Sequence, residues 1–585
     1  MKRKSKILRT IITFMIAFLM MVPFNFSSKV SAAETSNDEV ILFEGKASAS
    51  GSWNPWGTLA EIKDLKVSDF AKAFTLKIDY EGIAAPYVIF SSWTTAGKEW
   101  GQVTASYSSK GTAYYTYEAC TTGYGEDFSD LNQITVKPGG ADVTITKVSI
   151  VPESNADISV NYKGTAGNIV NDINAGWNLG GSLEVFGDWI KTGTDGKPDK
   201  FETAWYNPVT TKEMIDTVKA AGFNAIRIPV TWTQHIGDEA SGYKIEEEWM
   251  KRVQEVVDYA IDDGLYTIIN VHHDVDDAGW LWASDNCVKN KSDKFKAVWT
   301  QIADRFKNYD NKLLFEGFNE MLDEKTNWQY PGEEATNAVN TFNQMFVDTV
   351  RRTGENNSTR CLVVNTYAAS TDGNVLDDFI VPQDTIDNSL IVQVHFYVPY
   401  SYANVIGEYT KQTAWKENGG KITIDGSLIN LYNHFTSKGI PVIIGEMAAA
   451  NKNNLADRTE YTGYIVNECK KYGIKCFWWD QGGKYEADSN YGYDTGMGLL
   501  NRYTLTWVYP EIVEAFTGVD PNKKVIEKGS GDVDSNGLVD ISDYTLLRRY
   551  INASGEGIVI NKEESDINGD GSVDFFDLVA LKSLI

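Results

Sequence analysis

The sequence predicts a multidomain protein: an N-terminal all-β sandwich, a larger central (β/α)8 barrel and a small C-terminal helical module. Three observations predict it. Residues about 35–152 are rich in Tyr, Trp, Thr, Ser and Gly and lack helical periodicity. Residues about 158–518 alternate helical segments with short apolar strands, and residues about 529–585 repeat a loop-and-helix pattern at an offset of 34 positions. A chain of 585 residues has room for three or four domains of ~150 residues.

Ahead of these units, Lys2, Arg3, Lys4, Lys6 and Arg9 precede an apolar stretch and the small residues Val30-Ser-Ala-Ala33. That order reads as a secretory signal peptide over residues 1–32. The formal charge is −26; residues 1–32 carry six basic and no acidic side chains, so their removal leaves −32. A surface of that sign repels nucleic acid. No later apolar run spans a bilayer, so no membrane contact is expected of the mature chain. Seventeen Trp and thirty Tyr exclude a disordered chain. The five scattered cysteines make no disulfide framework and are expected free and buried.

In the first unit, Phe74-Thr-Leu-Lys-Ile-Asp-Tyr80 alternates apolar and polar residues. Val143-Thr-Ile145 and Val148-Ser-Ile150 also alternate, with a phase slip between them that predicts a bulge. Tyr115 and Tyr117 share a face on a strand reading and Tyr114 lies opposite, so some aromatics of this unit must be exposed. Residues 152–157 read as a linker.

The central unit yields eight strands in order: Ala175–Leu179, Asn224–Ile228, Tyr266–Val271, Leu313–Phe318, Cys361–Asn365, Leu390–Val394, Pro441–Ile444 and Lys475–Trp478. Helices are expected over Thr210–Ala221, Glu246–Asp263, Lys294–Tyr309, Glu334–Thr353, Leu428–Ser437 and Asp457–Tyr472. Eight βα units in about 360 residues suit a closed barrel. A doubly wound sheet is the competing fold, but no G-x-G-x-x-G or P-loop opens a helix.

In the tail, oxygen-bearing side chains fall at loop positions one, three, five, nine and twelve of both repeats. They are Asp532, Asp534, Asn536, Asp540 and Asp543, then Asp566, Asn568, Asp570, Asp574 and Asp577. Gly537 and Gly571 stand at position six, where such a loop turns sharply. Two copies in register point to a pair of Ca2+ loops, with little apolar content to fold without metal. The segment resembles a type I dockerin. That resemblance implies a cohesin of a cellulosome scaffold as partner, contacted near Ile541-Ser542 and Phe575-Phe576.

Functional residues of such barrels sit at the carboxyl ends of strands. There the sequence offers Arg227, His272-His273, Asn319-Glu320, His395 with Tyr397, Glu446, and Trp478-Trp479. Two isolated glutamates among Arg, Asn, His, Tyr and Trp suit hydrolysis of a glycosidic bond, which needs one protonated and one ionised carboxyl group. His272, His273 and Asp274 do not read as a metal site, because neighbours on a strand point to opposite faces. No catalytic cofactor is expected.

Gly176-Trp-Asn-Leu-Gly180, Glu202-Thr-Ala-Trp-Tyr-Asn-Pro208, Arg227-Ile-Pro-Val230, Phe318-Asn-Glu320, His395-Phe-Tyr397, Ile444-Gly-Glu446 and Phe477-Trp-Trp-Asp480 resemble a family 5 glycoside hydrolase of the cellulosomal endoglucanase branch. The resemblance implies retaining hydrolysis of cellulose or another β-glucan, with Glu320 as acid/base and Glu446 as nucleophile. Asn319 would hold the sugar 2-hydroxyl, Arg227 and Tyr397 would brace Glu446, and His272 and His395 would complete the shell. One strand-eight Trp would be the stacking platform, Trp479 in preference to Trp478. Gly180-Gly-Ser-Leu-Glu184, Met321 and Gln481 depart from the family pattern, the first with consequences for outer subsites. Xyloglucan, lichenan or mannan are alternative substrates, and a non-catalytic carbohydrate-binding component is the alternative class. The front module loosely resembles a carbohydrate-binding module. A secreted, extracellular, cellulosome-associated protein follows from these resemblances.

Overall fold

The computed structural model describes residues 39–585 apart from 55, 153–157, 188, 191–196, 276–278, 407–411, 483–495, 523–528 and 537. The signal peptide, the linker and Gly537 therefore lie outside the described residues. The chain divides into two compact units, residues up to 104 with 114–155, and residues 105–113 with 156–585.

The first unit is built from antiparallel strands. Asp142–Pro152 pairs with Val40–Ser50 on one side and Phe74–Glu81 on the other. Asp79 faces Lys147 and Tyr80 faces Ile145, so Thr146 has no partner on that side. This is the bulge that the phase slip predicts. A second sheet runs Ala60–Ile62, Gln133–Lys137, Tyr87–Ser91, Gly101–Val103. Leu76, Ile78, Val88, Phe90, Ile134, Val136 and Val148 are buried. The strand reading of Tyr117 is corrected: the strand Thr112–Tyr115 ends, and the Thr116 side chain accepts from Ala119 N to start the helix Tyr117–Tyr124. A Thr N-cap with Glu118 in the first turn outweighs aromatic alternation. Tyr115 and Tyr124 are buried, whereas Trp53, Trp56, Trp93 and Trp100 are exposed.

In the second unit eight parallel strands close into a barrel. They are β1 (Gly176–Leu179), β2 (Ala225–Ile228), β3 (Tyr266–Asn270), β4 (Leu313–Glu316), β5 (Leu362–Asn365), β6 (Leu390–His395), β7 (Val442–Met447) and β8 (Lys475–Asp480). The surrounding helices follow their sequence signals. Lys212–Ala220 starts at Thr211, whose side chain accepts from Met214 N at 3.3 Å. The helix before β4 begins earlier than Lys294, running Asp285–Phe306, because Ser284 caps it by accepting from Cys287 N at 3.1 Å. Its first turns are polar and carry no periodic signal to mark them.

Side chains two apart along a strand share a face. Ala225, Ile268, Leu314, Val363, Ile391, Ile443 and Phe477 form one apolar cluster with Ile169 and Val170 of the helix Gly164–Asp172. This cluster fills the lower barrel. Trp177, Ile226, Ile269, Phe315, Val392, Ile444 and Trp478 belong to the larger core shared with the outer helices. Two positions beyond the lower cluster the inward series becomes Asn178, Arg227, Asn270, Glu316, Asn365, Gln393 and Trp479, with Gly445 on β7. One pleat thus separates an apolar plug from a polar floor.

The tail holds the helices Ile541–Asn552, Lys562–Ser565 and Phe575–Lys582 around Val533, Leu547, Ile567, Leu578 and Leu581. The first and third begin at loop position ten. Asp540 and Asp574 cap them, each in a reciprocal capping box with the aspartate three residues on. All five cysteines are free and buried.

Candidate active site

The floor is organised around Arg227. Its guanidinium has five N–H donors, and five acceptors meet it. Nε and Nη2 reach the two Glu316 oxygens at 2.6 and 2.8 Å. Nη1 donates to Glu446 at 2.7 Å and to Asn178 Oδ1 at 3.0 Å. Nη2 also donates to Asn319 Oδ1 at 2.8 Å. Burial opposes the Arg227 charge, but Glu316 and Glu446 hold its pKa above the usual value. Burial likewise opposes the Glu316 carboxylate, and Arg227 with Asn270 brings its pKa below the usual range.

Glu446 reaches the floor through a break in strand pairing. Val394 pairs with Ile444 and His395 with Glu446, so Gly445 has no partner on β6. The bulge turns the glutamate inward, a device common beside active sites. Asn178 Nδ2 donates to the freed Gly445 carbonyl at 2.9 Å. A Cβ on Gly445 would lie 2.3 Å from Gln393 Cδ, so any larger residue there forces the Gln393 side chain to shift. The second Glu446 oxygen accepts from Tyr397 Oη at 2.9 Å. Burial, then Glu446 and Glu320, push the Tyr397 hydroxyl pKa well up, so it stays a donor.

Glu320 stands opposite. His395 Nδ1 lies 2.6 Å from its Oε1 and 3.5 Å from Glu446 Oε2. Burial opposes a charged His395, yet Glu446 and Glu320 raise its pKa above 6.5. One oxygen of each glutamate and a ring nitrogen of His395 all lie within 4.8 Å of one another. Glu320 is the more open of the pair, 23% exposed against 7% for Glu446.

His272 is buried, and burial, then His273, Arg227 and His395, drive its pKa far down. The neutral ring has Nδ1 3.1 Å from Asn270 Nδ2, which leaves the Nε2 proton for the cleft. His272 lies parallel to the Trp479 indole, 5.9 Å away. Trp479 is half-buried and faces inward. Trp478 is buried, donates to Met497 O at 3.0 Å and packs edge-on against Phe516. Strand parity therefore places Trp479 on the floor and Trp478 in the outer core.

β3 ends at Asn270, so the strand argument about His272 and His273 does not apply to them. Their rings meet edge-on, 4.6 Å apart, and His273 packs on Phe186 at 4.7 Å. Asp274 is occupied elsewhere, accepting from Trp232 N, Thr233 Oγ1 and Trp280 Nε1. Glu184 turns back into its own loop and accepts from Gly181 N and Ser182 N. The sequence reading missed Asn178, Asn270, Glu316 and Asn365. Each lies two residues beyond a lower-barrel position, and that spacing was the available signal.

In the tail, Asp532, Asp534 and Asp543 bring carboxylate oxygens within 4.8 Å of one another. Asp543 is buried and accepts from Asp534 N and Asp540 N; Asp577 is buried and accepts from Asn568 N and Asp574 N. The two loops thus repeat one hydrogen-bond plan. Ile541, Phe575 and Phe576 are exposed.

Two carboxyl groups facing each other on the rim of a barrel, among amides and an open indole, define a glycoside hydrolase. The chain belongs to the cellulase family, glycosyl hydrolase family 5, whose model matches residues 189–485. Carbohydrate binding module 65 domain 1 matches residues 43–148, and the dockerin type I domain matches residues 530–585. Endoglucanase A of Clostridium longisporum is 38% identical over 400 residues, 67% of this chain and 74% of that protein. A solved broad-specificity endoglucanase from Ruminococcus champanellensis with bound cellotriose is 42% identical. It covers 61% of this chain and 99% of that one, with a TM-score of 0.56. A xyloglucan-specific endo-β-1,4-glucanase from a metagenomic library, in complex with cellotriose, is 37% identical. It covers 60% and 98%, with a TM-score of 0.55. Among the described residues no helix is long and apolar enough to cross a membrane.

Proposed function

We propose that this chain is a secreted endo-β-1,4-glucanase that cleaves internal glucosidic bonds with retention and docks to a scaffold cohesin. One observation carries the reading: Glu320 and Glu446 offer oxygens within 4.8 Å of each other. Retaining pairs stand ~5–5.5 Å apart, whereas inverting pairs leave ~6.5–9.5 Å for a water. In the first step a Glu446 oxygen bonds to the anomeric carbon as the glycosidic bond breaks, and the departing oxygen takes a proton from Glu320. In the second, Glu320 takes a proton from water, whose oxygen displaces Glu446 from the sugar. Arg227 and Tyr397 hold Glu446 on line. Asn319 commits its Oδ1 to Arg227, which leaves its N–H groups for the 2-hydroxyl. Trp479 supplies the platform, and His272 donates from Nε2.

Glu446→Gln is expected to end reducing-sugar release from carboxymethylcellulose with fold and calcium binding intact; full turnover in that variant would remove Glu446 from its role. Glu320→Gln should slow the same reaction by about 10²–10⁴ and should lower kcat/KM far less for an aryl cellobioside with a good leaving group, whose departure needs no acid.

The substrate reading is supported by the names of the relatives, which include a xyloglucan-specific enzyme. A panel of carboxymethylcellulose, lichenan, xyloglucan and mannan ranks the preference. The exposed Trp53, Trp56, Trp93 and Trp100 suit a carbohydrate surface on the front module. Three carboxylates within 4.8 Å repel one another unless a cation lies among them, and an all-oxygen donor set suits Ca2+. Asp532, Asp534, Asn536, Asp540 and Asp543 would hold one ion, and Asp566, Asn568, Asp570, Asp574 and Asp577 a second. The metal supplies charge neutralisation and fixes the loops. Ile541, Phe575 and Phe576 offer the apolar contacts for a cohesin. Secretion rests on the sequence of residues 1–32.

A further inference from the structure

Two exposed tyrosines stand side by side where nothing in the catalytic floor uses them. Tyr206 is 72% exposed and Tyr503 68%. Tyr206 has φ of 67°, the left-handed region that strains any residue with a Cβ. Backbone strain of this kind persists only where the surroundings enforce it, and it gathers at ligand sites. The surroundings do enforce it here. Asn207, the next residue, is buried and donates to the carbonyls of Gly181 and Gln481 at 2.8 and 2.9 Å. Tyr503 Oη donates to the Tyr206 carbonyl at 3.3 Å. Arg502, beside Tyr503, donates to Gly180 O at 2.7 Å and Asp480 O at 2.5 Å. Both tyrosines are thereby tied to the segments that leave β1 and β8, beside the Trp479 end of the floor.

The other neighbour of Tyr206 completes the connection. Trp205 packs edge-on against Phe186 at 5.6 Å and His273 at 5.8 Å. His273 meets His272, and His272 lies parallel to Trp479. A run of ring contacts leads from the floor out to Trp205, the residue before Tyr206.

We propose that Tyr206 and Tyr503 form an outer sugar subsite, taking a glucose-type pyranose of a long β-glucan beyond the units held at the scissile bond. The proposal rests on the glucanase reading above. An exposed ring offers an apolar face to the C–H face of a pyranose, and a phenol offers a hydroxyl to its rim. With the Tyr206 backbone already held, only side-chain torsions remain to be ordered on binding.

The test is Tyr206→Gly with Tyr503→Ala, assayed on cellohexaose and on an aryl β-cellobioside too short to reach the rim. Glycine adopts the strained backbone freely, so Tyr206→Gly should melt no lower than wild type. The double variant should raise KM for cellohexaose about tenfold, a factor equal to about 1.4 kcal/mol. Its kcat, and all kinetics on the aryl cellobioside, should stay unchanged. Tyr206→Trp should keep the wild-type KM. An unchanged cellohexaose KM in the double variant overturns the subsite, and so does an equal loss on the short substrate. If the wild-type chain releases sugar from neither substrate, the glucanase reading itself has failed.

Discussion

Arg227 is shared between two carboxylates, and only one of them faces the cleft. Glu316 takes two of its five donors, so the guanidinium is anchored from below before it reaches Glu446. Glu316 is thus a positioning residue. Its carboxylate pKa is depressed in the folded protein, against the opposition of burial, by Arg227. A depressed acid contributes stability above its unfolded pKa, here near 4.5, and loses that contribution as pH falls through the folded value. Glu316→Gln should therefore lower barrel stability by about 3 kcal/mol or more at pH 7, the cost of breaking a buried pair. The gap to wild type should narrow steadily as pH drops below 4.5. Melting curves across that range check it; a gap independent of pH would mean that Glu316 acts through shape and not charge. In the sequence this residue carried no signal beyond its spacing from a lower-barrel position. Glu320 stands after β4 and Glu446 near the end of β7, both in family-like motifs, and could be read directly. Glu316 sits inside β4, where a buried charge shows only once Arg227 is known to lie across from it.

At the scale of elements, the site depends on where the inward series changes from apolar to polar. The eight strands were legible because short apolar runs recur between helical segments, and their ends fall within a few residues of the expected ones. What the runs hid was parity. β8 carries Phe477 and Trp479 inward and Trp478 outward, and the same alternation read from the lower cluster supports the choice of Trp479 that the family motif favours. β7 breaks parity at the Gly445 bulge, and no local pattern announces that break. The bulge is open to test. A Cβ at residue 445 would press on Gln393 at 2.3 Å, and the relief available is to move the buried Gln393 side chain or the strand segment that aims Glu446. Gly445→Ala should cost about 1–3 kcal/mol of stability as an overpacked core does and should lower kcat with little change in KM. Adding Gln393→Ala should recover much of both losses, because neighbouring substitutions couple. Melting and steady-state kinetics on carboxymethylcellulose decide it; a double variant no better than the single one would place the strain elsewhere.

Over the whole molecule, catalysis and assembly are expected to answer to different chemistry. The barrel stands on two large apolar clusters, the inner plug and the core shared with the outer helices. The tail has five buried apolar side chains, Val533, Leu547, Ile567, Leu578 and Leu581, beside two acidic loops. A core that small does not offset the repulsion among Asp532, Asp534 and Asp543 without a cation. A site filled at 1,000 times its Kd adds about 4 kcal/mol, enough to decide whether such a module folds. The tail was legible from the sequence for the same reason: ligand spacing is a local property, repeated twice, whereas the catalytic floor joins residues as far apart as Asn178 and Gly445, 267 positions. Chelation of the full-length chain with EGTA should therefore remove a low-temperature melting transition and abolish capture by a cohesin. Reducing-sugar release from carboxymethylcellulose should stay at its starting rate. Ca2+ should restore both losses, and Mg2+, which demands a tighter octahedral shell, should restore neither. Loss of hydrolysis in step with the tail transition would show that the metal also holds the barrel, and the separation between the two chemistries would fall.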